Sequence, residues 1–261
     1  MFQQVVIVGI GEMGGVFARG FLRGGRPVVP VTRELRIDDV AMRTPDPALV
    51  LVAVSETDLA SVLESLPGSW RERVALLQNE LLPSHWTAHG IETPTIIVPW
   101  FEKKRGRDVR VLLATPVYGP RADLVRHALR AVHIPERALA IEGDVLFELV
   151  RKTLFILTTN IAGLVTRGTV GDLWENHREL AQEVLDETFA IQSSLAETDL
   201  PRERLYRSVR QAFDADPERK CTGRSAPERL GRALAHADKA GLATPKLREI
   251  ARQITIVAPT I

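Results

Sequence analysis

Gly9, Gly11 and Gly14 stand in G-x-G-x-x-G spacing directly after the apolar run Val5, Val6, Ile7, Val8. An amphipathic segment with Met13, Val16, Phe17 and Phe21 on one face follows them. Strand, glycine turn and helix in this order can hold the pyrophosphate of a dinucleotide. The first glycine allows the tight turn, the second admits the phosphates, and the third lets helix and strand pack closely. The helix start then offers free N–H groups and a partial positive charge to the anion. Ile10, Glu12 and Met13 lie within the same turn and complete its expected contacts. The next apolar run, 28–31, leads into Thr32 and Arg33. A hydroxyl and a guanidinium suit a ribose 2′-phosphate, because arginine offers a planar cationic fork. The expected cofactor is therefore NADP(H) rather than NAD(H). Glu34 would take the reading position, and favour NAD(H), if the strand ended one residue later.

These residues need a sheet to hold them. Gly24 and Gly25 can close the first helix. The run ALVLVAV at 48–54 reads as a strand covered on both faces, ending at Val54 and Ser55, two further expected cofactor contacts. A turn and helix over 55–66 come next, with Asp58 a candidate N-cap. Residues 74–77 read as a buried strand that ends at Gln78 and Asn79. Residues 95–98 and 109–113 read as strands, with a solvated basic hairpin turn at 103–107. PVYGP at 116–120 reads as a turn, and 122–133 as a helix. From about residue 141 the pattern becomes helical, over 145–165, 173–195, 202–213, 227–240 and 247–254. Pro201, Pro227 and Pro245 suit first turns, and Gly241 suits a helix end. Only 254–257 suggests a short β-type alternation. The expected fold is α/β: a Rossmann-type dinucleotide-binding domain over residues 1–141, with a largely parallel sheet, and a mostly α-helical substrate and dimerisation domain over 142–261.

With Gly9–Gly14, Gln78–Asn79, Lys152 and Asn160 in this order, the chain resembles the ketopantoate reductases. These belong to the wider group that includes 6-phosphogluconate and β-hydroxyacid dehydrogenases. The resemblance implies that Gln78 and Asn79 contact the nicotinamide ribose and the substrate. The family has Gly at the next position, where this chain has Glu80. It also implies that Lys152, in LVRKTLFILTTN, is the general acid that protonates a carbonyl oxygen as hydride arrives. Such a reduction creates an alkoxide, so a proton donor is needed there. A lysine on an otherwise apolar helix can be partly desolvated, which lowers its pKa. The family places asparagines four and eight residues after the lysine. Here these positions are Ile156 and Asn160, and by helical geometry they lie about 40° and about 80° around from Lys152. Thr159 lies nearer the lysine's face. Aligning Gly241 and Pro245 with the family pattern puts Ser225 where a glutamate is expected, with Glu228 nearly a turn away.

The resemblance implies an NADP(H)-dependent oxidoreductase that passes hydride to the carbonyl of a small 2-oxo acid. Lys152, Asn79 and Asn160 are its candidate catalytic residues. Two alternatives stay open: a catalytically impaired NADP(H)-binding sensor or partner-binding protein, and a β-hydroxyacid dehydrogenase or imine reductase-type enzyme.

Composition narrows the setting. The chain has 261 residues, 45% apolar and 26% charged, with a formal net charge of +1. That charge gives no general reason to expect nucleic-acid or membrane partners. The single cysteine, Cys221, allows no internal disulfide, and no metal site is expected, since His85 and His89 lack a third ligand at suitable spacing. The apolar stretch 154–165 is too short to span a bilayer. A cytoplasmic location is expected, with a small carboxylate substrate as partner. The apolar helix face around Phe155 is either core or the surface of a homodimer. Trp100 and Phe101 line a pocket or pack in the core.

Overall fold

A computed structural model describes residues 3–257. The elements run β1 (Val5–Val8), α1 (Glu12–Arg23), β2 (Val28–Val31), α2 (Ile37–Arg43), β3 (Leu49–Val52), α3 (Leu59–Ser65), α4 (Gly68–Arg71) and β4 (Val74–Leu76). Then come α5 (Ser84–Thr87), β5 (Thr95–Ile97), β6 (Phe101–Glu102), β7 (Arg110–Val111), β8 (Thr115–Tyr118), α6 (Ala122–Ala131) and β9 (Glu136–Ala138). The rest is helical: α7 (Glu142–Thr166), α8 (Val170–Asn176), α9 (Arg178–Ala196), α10 (Arg202–Ala215), α11 (Ala226–Lys239) and α12 (Pro245–Val257). The chain divides into two compact units, Met1–Leu149 and Val150–Ile261. The division falls inside α7, a little beyond the change of character at 141. Glu148 in the early turns of α7 pairs with Arg137, at 2.5 Å, within the first unit.

In the first unit a sheet of order β2-β1-β3-β4-β5-β8-β9 forms among the described residues. β1 to β5 are mutually parallel, and β8 runs antiparallel to β5. The apolar runs fit this sheet. Val5 to Val8 and Leu49 to Val52 are fully buried because neighbours cover both faces. Phe17 and Phe21 of α1 seal one face together with Val125 and Leu129 of α6. Trp100 and Phe101 are buried too, and Phe101 lies 6.2 Å from Phe17 between ring centroids, so they serve the core.

Three expectations change here. PVYGP is not a turn: its Pro116 to Tyr118 belong to β8. A proline is tolerated because the ladder to β9 uses Thr115 and Val117, as in Thr115 N to Pro135 O at 2.8 Å and Leu139 N to Val117 O at 3.0 Å. On the β5 side Pro116 only accepts, from Val98 N at 2.9 Å. The short helix α2 and the strand β9 carry weak patterns and were not expected. The predicted strand at 109–113 shrinks to β7, which pairs only with β6 around the basic turn.

The second unit packs its helices around Phe155, Leu157, Ile161, Val184, Leu205 and Phe213. Phe155 is 1% exposed and its ring lies 5.6 Å from that of Phe213, so this residue is core. The expected helix 173–195 is broken at His177, the residue between α8 and α9. Residues 254–257 continue α12 rather than forming a strand. Glu187 of α9 accepts from Lys246 N at 2.8 Å and Leu247 N at 2.9 Å, so its carboxylate caps the start of α12. Gly241, with φ +65°, closes α11. Among the described residues no helix is long and apolar enough to cross a membrane.

Candidate functional site

The glycine turn separates three tasks. Gly9 has φ +92°, and a Cβ there would lie 2.8 Å from Ala53 O, so the turn needs glycine for both conformation and space. A Cβ on Gly14 would lie 2.0 Å from Gly9 O, which is why α1 can start so close to the turn. Gly11 differs: a Cβ there would meet nothing within 4 Å. Its open side is the space into which a phosphate would come. Gly11 is also the N-cap of α1, and no side chain caps that helix. The first N–H groups are thus left to a ligand or to water. The turn therefore fits a dinucleotide pyrophosphate sterically and electrostatically.

A cavity of about 600 Å³ opens beside this turn. Gly9, Ile10, Gly11, Thr32, Arg33, Val54 and Ser55 of the predicted contacts line it. β2 ends at Val31, so Thr32 and Arg33 face the cavity, and Glu34 is not in its lining. Asp58 and Ser61 line it as well. Arg33 Nη2 donates to Asp58 Oδ2 at 3.3 Å, and Ser55 Oγ donates to the same oxygen at 2.9 Å. Asp58 occupies the N-cap position of α3, but its side chain makes no cap bond there.

Other predicted contacts sit elsewhere. Glu12 lines a second hollow on the other flank of the turn, with Arg19, Arg23 and Lys103. Met13 packs against the core. Gln78 is buried and donates to Val52 O at 2.8 Å and Val54 O at 3.3 Å, which ties the end of β4 to β3. Its Oε1 accepts from Leu77 N at 3.1 Å. Asn79 Nδ2 donates to Glu56 Oε1 at 2.9 Å. The amide pair thus shapes the carboxyl ends of β3 and β4.

In the second unit Lys152 is partly buried on α7, and Ile156 is buried. Thr159 Oγ1 donates to Phe155 O at 2.8 Å, satisfying its hydroxyl within the helix. Asn160 is 8% exposed. Its Nδ2 donates to Cys221 O at 3.3 Å, and its Oδ1 accepts from Arg229 Nη1 at 2.9 Å. Asn160 therefore joins α7 to α11 and the loop before it. Ser225 is the N-cap residue of α11, without a side-chain cap bond, and Glu228 is exposed. Cys221 is buried, and burial first, then the charge of Asp172, push its thiol up to about 11. It is an inert packing residue.

Neither a family model nor a curated protein matches the chain. Solved structures do. The chain is similar to a PanE/ApbA family ketopantoate reductase from Ralstonia eutropha, with TM-score 0.69 at 15% identity over 97% of this chain and 98% of that one. It is similar to D-mandelate dehydrogenase with NADH and anilino(oxo)acetate, with TM-score 0.67 at 11% identity over 97% of each chain. It is also similar to a dimeric ketopantoate reductase from Staphylococcus aureus, with TM-score 0.64 at 15% identity over 97% of this chain and 98% of that one.

The fold is that of the ketopantoate reductases.

Within the ketopantoate reductase fold, three residues acquire a structural meaning. Glu80, directly after the Gln78–Asn79 pair, adopts φ +59°, a left-handed conformation that favours glycine. Arg229 was not singled out from the sequence, since one arginine on an exposed-looking helix carries no signal. Asp58 was read only as a cap, since its pairing with Arg33 depends on strand order, which places residues 33 and 58 on either side of β1.

Proposed function

We propose that the chain is a nicotinamide-dinucleotide-dependent oxidoreductase that reduces the carbonyl of a small 2-oxo acid, with NADP(H) as cofactor. The observation that carries this reading is the glycine turn with its open Gly11, set beside a cavity that Arg33 lines, in the ketopantoate reductase fold. When bound, the dinucleotide supplies the hydride. The chain's own groups do the rest. The N–H groups at the start of α1 hold the pyrophosphate, and Thr32 and Arg33 hold the 2′-phosphate. Lys152 gives a proton to the carbonyl oxygen, and Asn79 orients the ribose. A homodimer through the helical unit fits the Staphylococcus aureus neighbour, which is described as dimeric.

The test is loss of reduced-nicotinamide absorbance with a panel of 2-oxo acids. Lys152→Ala is expected to lower kcat by about 10²-fold or more while cofactor affinity holds. Equal turnover in the variant would remove Lys152 from the mechanism. A second reading, a dinucleotide-binding sensor without turnover, is favoured by the state of Asn160. Its amide is committed to Cys221 O and Arg229, and Ile156 supplies no polar group beside Lys152. That reading predicts tight binding, no turnover on any 2-oxo acid, and no effect of Lys152→Ala.

A further inference from the structure

Arg33 and Asp58 come from opposite sides of the glycine turn. Arg33 follows β2 and Asp58 follows β3, and these strands flank β1 on its two sides. Their ion pair, 3.3 Å between Nη2 and Oδ2, therefore crosses the carboxyl end of β1 at the point where the strand order reverses. Such a switch point is where a doubly wound sheet takes its ligand. Both side chains line the same cavity.

We propose that Asp58 is a second ribose-reading residue, opposed to Arg33, and that the site therefore admits NADH as well as NADPH. This rests on the dinucleotide reading above. The chemistry follows from the two ribose ends. A 2′-phosphate is an anion and needs the guanidinium, but it must approach with the Asp58 carboxylate beside it, and like charges repel. A free 2′-hydroxyl is a donor and needs a carboxylate acceptor. Asp58 can supply it. Its side chain is held by Ser55 Oγ at 2.9 Å and is 45% exposed, so it is both oriented and reachable. It makes no cap bond to α3, so helix capping does not account for its placement. Glu34, the acid nearest Arg33 in sequence, is outside the lining, whereas Asp58 is part of it.

Calorimetric titration of the 261-residue protein with NADPH and with NADH tests this, using the parent chain, Asp58→Asn and Arg33→Ala. Asn is nearly isosteric with Asp and the site is half exposed, so melting curves should stay close to the parent's. The parent is expected to bind both dinucleotides within about tenfold of each other, as competing charge-assisted hydrogen bonds would give. Asp58→Asn is expected to weaken NADH and tighten NADPH, and Arg33→Ala to weaken NADPH with little change for NADH. If Asp58→Asn left the NADPH to NADH ratio unchanged, Asp58 would not read the ribose and the proposal would fall. If the parent bound neither dinucleotide, the dinucleotide reading would fall, and this proposal with it.

Discussion

Glu80 sits in a backbone conformation that its side chain opposes. At φ +59° a residue with a Cβ pays about 1 kcal/mol or more relative to its ordinary conformation. Glu80→Gly should therefore hold or raise stability, by up to about 1 kcal/mol, in urea unfolding. A clear loss would mean that the Glu80 side chain contributes more than the turn costs. Cys221 makes a second prediction at this scale. Its folded pKa of about 11 lies above the ordinary 9.0 because burial disfavours the thiolate. The sign is that of a proton held more tightly when folded. The contribution is fully present below about pH 9 and is lost as pH rises toward about 11. A thiol reagent at mildly alkaline pH should label the unfolded chain at once and the native chain slowly. Equally fast native labelling would contradict the burial.

At the scale of elements, the helical unit depends on side chains that join helix to helix. Asn160 satisfies Cys221 O and holds Arg229, so Asn160→Ala should cost about 1–3 kcal/mol by leaving buried polar groups without partners. Urea unfolding checks it, with cofactor affinity as the control; unchanged stability would return Asn160 to a purely chemical role. The elements also show what the sequence made legible. Strands with unbroken apolar runs, β1 and β3, and long periodic helices such as α7 and α9 are readable because burial on both faces, or on one stripe, is written in their residues. β8 is not readable, because Pro116 marks a turn in most contexts and is harmless here only through the local ladder. β9 has charged residues at two of its three positions and an edge location, so pattern gives it no weight. Asp58 was legible as a residue but not as a partner of Arg33, because that pairing follows from sheet order and not from sequence distance.

At the scale of the whole molecule, low identity and full-length likeness to known reductases coexist, since 15% identity accompanies 97% coverage. A fold can persist while its site diverges. Here the glycine turn has the conformation and space a dinucleotide needs, whereas Ile156, Ser225 and Glu80 stand where the resemblance implies Asn, Glu and Gly. The central claim is that the open side of this turn holds a dinucleotide. Two glycine variants separate that claim from simple stability. Gly14→Ala forces a Cβ to within 2.0 Å of Gly9 O and should lower stability by about 1–3 kcal/mol. A Cβ at Gly11 meets no atom within 4 Å, so Gly11→Val should fold and melt nearly as the parent does. The most direct measurement is a fluorescence titration of Gly11→Val and the parent with reduced nicotinamide dinucleotides. The parent should bind, and the correctly folded Gly11→Val should lose binding because its side chain fills the phosphate space. Undiminished binding in the variant would show that the dinucleotide does not lie on this turn.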